Sequence, residues 1–244
     1  MAGNKQEKSE KRVSSIFSSV LIAIVSTIGS IVLAVIVVLY VSNVNASREE
    51  HATLLELVES LEAEALYAPR ILSFDEEMRR INPDYVNWLR IEGTTLDHPV
   101  VRGGNNTKYL DLSFYGEENL LGTLFMDYRC AGDYTPHLII YGHNARQGDL
   151  FGNLWMFLDK EYLLDHPIIT LKANDRITEY IIFSARKTDV NDPAYFLDFD
   201  EPESFDAFIE RIGAPQGASQ ILTLSTCVSG EDENERIIVQ AAVR

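Results

Sequence analysis

Cysteine is scarce in this 244-residue chain, which has two, Cys130 and Cys227, beside five histidines. No Cys or His pair stands at the spacing a zinc centre needs. The run Glu231-Asp232-Glu233-Asn234-Glu235 offers hard oxygen ligands but lacks the Asp-x-Asp-x-Asn-Gly order of a calcium loop, so it reads as a solvated turn. Neither a metal nor any other cofactor is expected. Internal repeats and low-complexity tracts are missing as well, which excludes a repeat architecture. Positive charge is in short supply: 21 Lys and Arg stand against 37 Asp and Glu, for a net charge of −16. The first twelve residues hold four basic side chains and two acidic ones, so the remainder is more acidic still. Such a chain is repelled by nucleic acid, which is not expected as a partner. Its acidity either keeps the domain soluble or favours basic peptides and amine-bearing acceptors.

Charge of either sign is absent from Val13 to Ser47, and Val20–Val41 is nearly continuous Val, Ile, Leu and Ala. As a helix rising ~1.5 Å per residue, that core spans about 33 Å, enough to cross roughly 30 Å of hydrocarbon. Lys5, Lys8, Lys11 and Arg12 precede it, whereas Arg48 is followed at once by Glu49 and Glu50. The positive-inside rule then sets the N-terminus in the cytoplasm and the bulk of the chain outside the cell. Val44-Asn45-Ala46 faintly resembles a signal-peptide cleavage site, but signal cores run only ~7–15 apolar residues, so an uncleaved anchor is expected. The chain thus divides into a cytoplasmic segment (1–15), one transmembrane helix (16–44), a juxtamembrane helical segment (45–72) and a globular domain (73–244). Leu54, Leu55, Val58, Leu61 and Ala65 recur at helical spacing and predict an amphipathic helix over Arg48–Arg70. Ser73, with Glu76 three residues on and Asn82-Pro83 as a stop, predicts a second, short helix. A third is predicted over Glu203–Ile212, where Phe205, Phe208, Ile209 and Ile212 share one face.

Chemistry concentrates near the C-terminus. Ile221–Thr226 and Arg236–Gln240 are rich in β-branched and apolar residues and read as two strands of a hairpin joined by a polar loop. Cys227 then ends one strand and Arg236 starts its neighbour, at the same end of the sheet. A further apolar run, His137–Tyr141, delivers Gly142-His143-Asn144 into the loop behind it. Thiol, imidazole and guanidinium together suit acyl transfer. The thiolate is the attacking species, so a nearby cation raises its reactivity. His143 would donate a proton to a departing amine. Arg236, permanently charged and carrying a rigid fork of donors, suits the oxyanion of a tetrahedral intermediate. His51, His98, His137 and His166 read as surface or structural, and Cys130 as structural or a loop thiol. A Cys130–Cys227 disulfide would consume the proposed nucleophile and is not expected.

Leu222-Thr223-Leu224-Ser225-Thr226-Cys227 resembles the TLxTC signature of sortases, the membrane-bound cysteine transpeptidases of Gram-positive bacteria. Tyr141-Gly142-His143-Asn144 and Arg236 fall in the family's order, and the likeness extends over Ser73–Arg244. Its details are similar to class B: Ile81-Asn82-Pro83-Asp84-Tyr85-Val86-Asn87-Trp88-Leu89, Asp97-His98-Pro99-Val100-Val101 and Gly122-Thr123-Leu124-Phe125-Met126-Asp127. A cysteine at the end of an apolar strand is in general more often a small buried hydrophobe than a nucleophile; the flanking motif reverses that expectation for Cys227.

The resemblance implies a mainly β fold with helices: a closed, mainly antiparallel eight-stranded barrel, N-terminal helices, and one helix inserted between late strands. It implies Cys227, His143 and Arg236 as catalytic residues, and Asn106, Leu110, Tyr141 and Ser225 as lining a peptide groove. The implied reaction is cleavage of a sorting motif in secreted proteins after Thr, through a thioester. Transfer would follow to a peptidoglycan cross-bridge amine, its lipid-linked precursor or a pilin lysine. Relatives often carry an acidic residue after the cysteine; Val228 departs from that pattern and bears on peptide preference. Two alternatives stand beside this reading: a cysteine peptidase with water as acceptor, and a non-catalytic surface scaffold or adhesin.

Overall fold

A computed structural model describes residues 3–64, 73–130, 135–145, 148–174, 176–199, 202–227 and 234–243, with residues 3–25, 62–64, 202, 203 and 227 described by their backbone alone. Val228, most of the acidic run after it and the expected end of the juxtamembrane helix, residues 65–72, lie outside the described residues. The chain forms two compact units, Met1–Glu49 and Glu50–Arg244.

Helix α1 runs Gly3–Glu64. The stretches read as anchor and juxtamembrane helix are joined in it, since neither Pro nor Gly interrupts the sequence between Ser30 and Glu64. Over residues 26–42 its apolar side chains are exposed all round, Leu33 and Val38 among them, the pattern of a helix whose solvent is lipid. The described part from Ser26 is long and apolar enough to cross a membrane. Ser30 returns its hydroxyl to the Ser26 carbonyl at 2.9 Å, so the polar group is satisfied within the helix.

The second unit is a barrel. Its strands are β1 (Tyr85–Arg90), β2 (Asp97–Val101), β3 (Leu124–Met126), β4 (His137–His143), β5 (Ile168–Ala173), β6 (Arg176–Asp189), β7 (Ile221–Cys227) and β8 (Glu235–Val243). They close in the order β1-β2-β3-β4-β7-β8-β6-β5, antiparallel except for the parallel pairs β2·β3 and β4·β7. Closure leaves no strand edge to aggregate. The predicted hairpin is present, with β7 and β8 paired antiparallel.

Helix α2 (Phe74–Ile81) begins at the expected capping box: Glu76 N donates to Ser73 Oγ at 3.2 Å and Ser73 N to Glu76 Oε2 at 2.6 Å. Asn82 ends it and is itself held, its amide donating to the Tyr109 hydroxyl and the Phe114 carbonyl. Leu54 and Val58, late in α1, pack with Met78 of α2 against Tyr85, Trp88 and Phe125 on the outer wall. Strand β1 is therefore buried on both faces, Leu89 pointing to the interior and Trp88 to the helices. Between β4 and β5 lie a 3-10 turn, Leu154–Leu158, and helix α3 (Lys160–Asp165). Helix α4 (Pro202–Ile212) is inserted between β6 and β7 as expected, and seats Phe208 and Ile212 on Ile221 and Ala242.

Strand periodicity sorts residues by face. Leu138 and Ile140 of β4, Leu222 and Leu224 of β7, and Ile237 and Val239 of β8 fill the interior. Gly142 continues the inward row of β4, and a Cβ there would collide with Leu124 Cδ2 and lie 2.8 Å from Phe151 Cδ2. Size, then, explains the glycine in the Tyr-Gly-His-Asn segment. Gly142→Ala is expected to destabilise the domain by about 1–3 kcal/mol, the cost of overpacking a filled core; urea unfolding of the detergent-solubilised chain measures it, and an unchanged midpoint contradicts this packing.

Candidate active site

The outward rows of β4, β7 and β8 carry the chemistry. In the parallel pair β4·β7, Tyr141 lies beside Ser225 and His143 beside Cys227. Adjacent strands run ~4.8 Å apart, so residues remote in sequence become immediate neighbours. Strand β8 pairs antiparallel on the other side of β7, with Ser225 opposite Ile238. Two residues further along that register, Arg236 comes level with Cys227.

His143 is half-buried, and its Nε2 lies 2.6 Å from the carbonyl oxygen of Leu110. A carbonyl only accepts, so Nε2 carries the proton of the neutral ring and Nδ1 is left to exchange one. Arg236 is also half-buried, one guanidinium nitrogen donating to the Glu235 carbonyl at 3.0 Å. The wall can thus present a nucleophile, a proton carrier of fixed tautomer and a permanent cation at one end of three adjacent strands.

The sequence model of the sortase domain matches residues 89–244. The chain belongs to the sortase family. The Sortase B of Staphylococcus aureus is 31% identical over 179 residues, 69% of this chain and 73% of that protein. The Sortase B of Listeria monocytogenes is 29% identical over 177 residues, 67% and 71% of the two. A solved Staphylococcus aureus sortase B–substrate complex superposes with a TM-score of 0.70 at 27% identity, covering 81% of this chain and 97% of that one. The chain is a class B sortase and a cysteine transpeptidase.

The other four residues singled out in this sortase fall into two groups. Asn106 and Tyr141 meet through a residue the sequence reading left without a role, Asp127: Asn106 Nδ2 and the Tyr141 hydroxyl both donate to its Oδ2, at 2.9 and 3.1 Å. Leu110 acts through its main chain, as the acceptor for His143. Ser225 is fully buried and hydrogen-bonded at 2.8 Å to the hydroxyl of Tyr195. Tyr195 ends a 3-10 turn, Pro193–Tyr195, that Asp192 caps and Pro193 starts. That cap was readable in the sequence; its position over β7 was not.

Beneath this turn the outward row is polar and fully connected. His137, fully buried, bonds the Phe196 carbonyl through Nδ1 at 2.8 Å and Thr223 Oγ1 through Nε2 at 2.9 Å. Gln240 donates to the same hydroxyl at 3.3 Å and accepts from Arg186 at 2.6 Å. Arg186 reaches Asp192 at 2.7 Å. Burying such groups costs little only when every partner is in place. Cys130 is a buried free thiol whose sulfur lies 3.6 Å from the His137 carbonyl, in keeping with a structural role.

Burial pushes the imidazole of His137 down to about 4, against the opposing pull of the Phe196 carbonyl. The same cause, with His51 stacked at 4.2 Å, pushes His98 down to about 3. Both folded values lie below the unfolded one of 6.5, so the unfolded chain takes up protons first as pH falls. Stability is therefore complete above about pH 6.5 and drains away toward pH 4. His137 alone accounts for a loss on the order of 3 kcal/mol across that window. Thermal midpoints recorded from pH 7 to pH 4 should fall accordingly, and less steeply for His137→Gln; equal slopes in the two proteins refute the assignment.

Proposed function

We propose that this sortase joins secreted proteins to a cell-wall amine, with Cys227, His143 and Arg236 as its catalytic residues. In this reading the Cys227 thiolate attacks the carbonyl of a threonine within a C-terminal sorting motif. Arg236 stabilises the negative charge on the former carbonyl oxygen. His143, carrying on Nδ1 the proton taken from the Cys227 thiol, gives it to the departing amine as the scissile C–N bond breaks, and a thioester links enzyme and substrate. An amine from a peptidoglycan cross-bridge, its lipid-linked precursor or a pilin lysine then attacks that thioester, and His143 takes the proton back. The peptide lies extended along Asn106, Leu110 and Tyr141, with Ser225 set behind them under Tyr195, a recognition mode in which backbone bonds supply affinity and pockets read alternate side chains. The observation that carries the reading is the pairing of His143 with Cys227 in the β4·β7 register.

The apolar helix supports a membrane-anchored enzyme, and the basic residues before it support a cytoplasmic N-terminus with the barrel outside. There the barrel meets both secreted proteins and wall precursors. Arg48 and the acidic residues after it belong to the outer side of the anchor in this arrangement.

A pentapeptide library, with mass analysis of trapped thioesters, identifies the motif. With that peptide and a glycine-type amine, the detergent-solubilised chain should form the transfer product faster than the hydrolysis product. Cys227→Ala should abolish both, His143→Ala should suppress transfer, and Arg236→Ala should lower the rate by about 10²–10³, the usual effect of removing an oxyanion donor. Full activity in any of the three variants misassigns that residue, and hydrolysis unaffected by added amine points to a peptidase.

A further inference from the structure

Asp127 follows β3 directly and is completely buried, an expensive place for a carboxylate. Its two oxygens accept from the Arg129 backbone N–H at 3.0 Å, Arg129 Nε at 2.9 Å and Arg129 Nη2 at 2.8 Å, besides Asn106 and Tyr141. The aspartate's own N–H donates to the Ile139 carbonyl of β4 at 2.8 Å. Burial alone would raise the carboxyl, yet the bonds from Arg129 and Asn106 and the charge of Arg129 hold it below the usual carboxylate range. The group is an anion with every acceptor site used, and charge-assisted bonds of this kind are the strong ones.

The two partners beyond Arg129 lead to the same imidazole. Asn106 belongs to a turn closed on itself: Asn105 Oδ1 accepts from the N–H groups of Thr107 and Lys108 at 2.9 Å, and Leu110 N donates to the Thr107 carbonyl at 3.2 Å. Both ends of the Asn106 amide are engaged, Nδ2 by Asp127 and Oδ1 by Tyr128 N at 2.9 Å. The last residue of that turn, Leu110, supplies the carbonyl that fixes His143 Nε2. Tyr141, on the other side, stands two residues before His143 on β4. One carboxylate therefore grips the turn that orients the ring and the strand that bears it.

We infer that Asp127 is a positioning residue of the transfer reaction, setting the His143 imidazole by clamping the 105–110 turn to β4. The inference rests on the assignment of His143 proposed above. Removing the clamp frees the Leu110 carbonyl to drift from Nε2, and displacements of about 1 Å in a catalytic group cost on the order of a hundredfold in rate.

The test uses the detergent-solubilised full chain labelled with ¹⁵N at histidine. His143 Hε2 is a hydrogen-bonded imidazole resonance identified by its absence in His143→Gln. In Asp127→Asn that resonance should move or broaden, and kcat should fall about tenfold to a hundredfold. Asn106→Ala leaves the carboxylate with Arg129 and Tyr141 and cuts only the link to the turn, so it probes the clamp even where Asp127→Asn folds poorly. It should perturb the same resonance and lower kcat with little change in thermal midpoint. An unmoved His143 resonance in both variants, or wild-type kcat in both, overturns the inference. Parallel assays of Cys227→Ala and His143→Ala separate the two levels: if these are active the site assignment fails, whereas if they are dead and Asp127→Asn is fully active only the clamp fails.

Discussion

The parallel pairing of β4 with β7 is the constraint on which the rest of this molecule turns. Antiparallel neighbours can be joined by a short turn, but parallel ones require a long crossover. Here the crossover includes β5, β6, α3 and α4, so the contact between His143 and Cys227 joins segments far apart in the chain. Register matters as much as pairing, because a slip of one residue exchanges the two faces of a strand. Interior Leu138, Ile140, Leu222 and Leu224 would then face outward, and that apolar penalty locks the chemistry of the outer row in place.

The outer row is itself tied down by polar contacts. His137 to Thr223 links β4 to β7, and Thr223 to Gln240 links β7 to β8. Gln240 to Arg186 carries the chain of bonds to β6, and Arg186 to Asp192 fixes the turn that sets Tyr195 on Ser225. A Leu in place of Thr223 would pack against its neighbours but leave His137 and Gln240 each short of a partner in a dry site, where unmade bonds are costly. The row thus helps specify strand alignment on the same face as His143, and Phe208 of α4 packs over it, its ring tilted and 4.9 Å from that of His137.

Local signals in the sequence were easy to read because the physics behind them is local. The capping box at Ser73 needs only Glu76; the β7·β8 hairpin needs two apolar runs and a polar loop; the face of α4 follows from its Phe and Ile spacing. Cys227, His143 and Arg236 stood out as strand-end residues whose side chains share one chemistry. What stayed hidden depends on contacts between distant segments. Leu110 was singled out as lining a peptide groove, whereas the bond it makes to His143 comes from a carbonyl that every residue possesses. Asp127 ended a motif but revealed nothing of Asn106 or Tyr141 until β3 was laid between β2 and β4. Tyr195 sits in a turn whose cap could be named but whose neighbour could not. The joining of anchor and juxtamembrane stretches into one helix has a different origin: both were read as helical, and the boundary between them rested on polarity, which leaves backbone geometry unaffected.

The chain has two thiols, and burial withdraws one of them, Cys130, from chemistry. In an oxidising compartment, two accessible cysteines can be joined as a disulfide. Cys130 is sealed in the barrel interior with Leu138 and Leu222, and burial pushes its thiol up to about 11. A thiol held protonated is a poor nucleophile and a slow partner in exchange. Its neighbours reinforce the arrangement: the Cys130 carbonyl accepts from Arg102, and its N–H donates to the Asp127 carbonyl. The same β3–β4 connection therefore holds the inert sulfur inside the barrel and the Asp127 carboxylate against Asn106 and Tyr141. Burial alone makes Cys130 inert, since nothing in its side chain distinguishes it from any other cysteine.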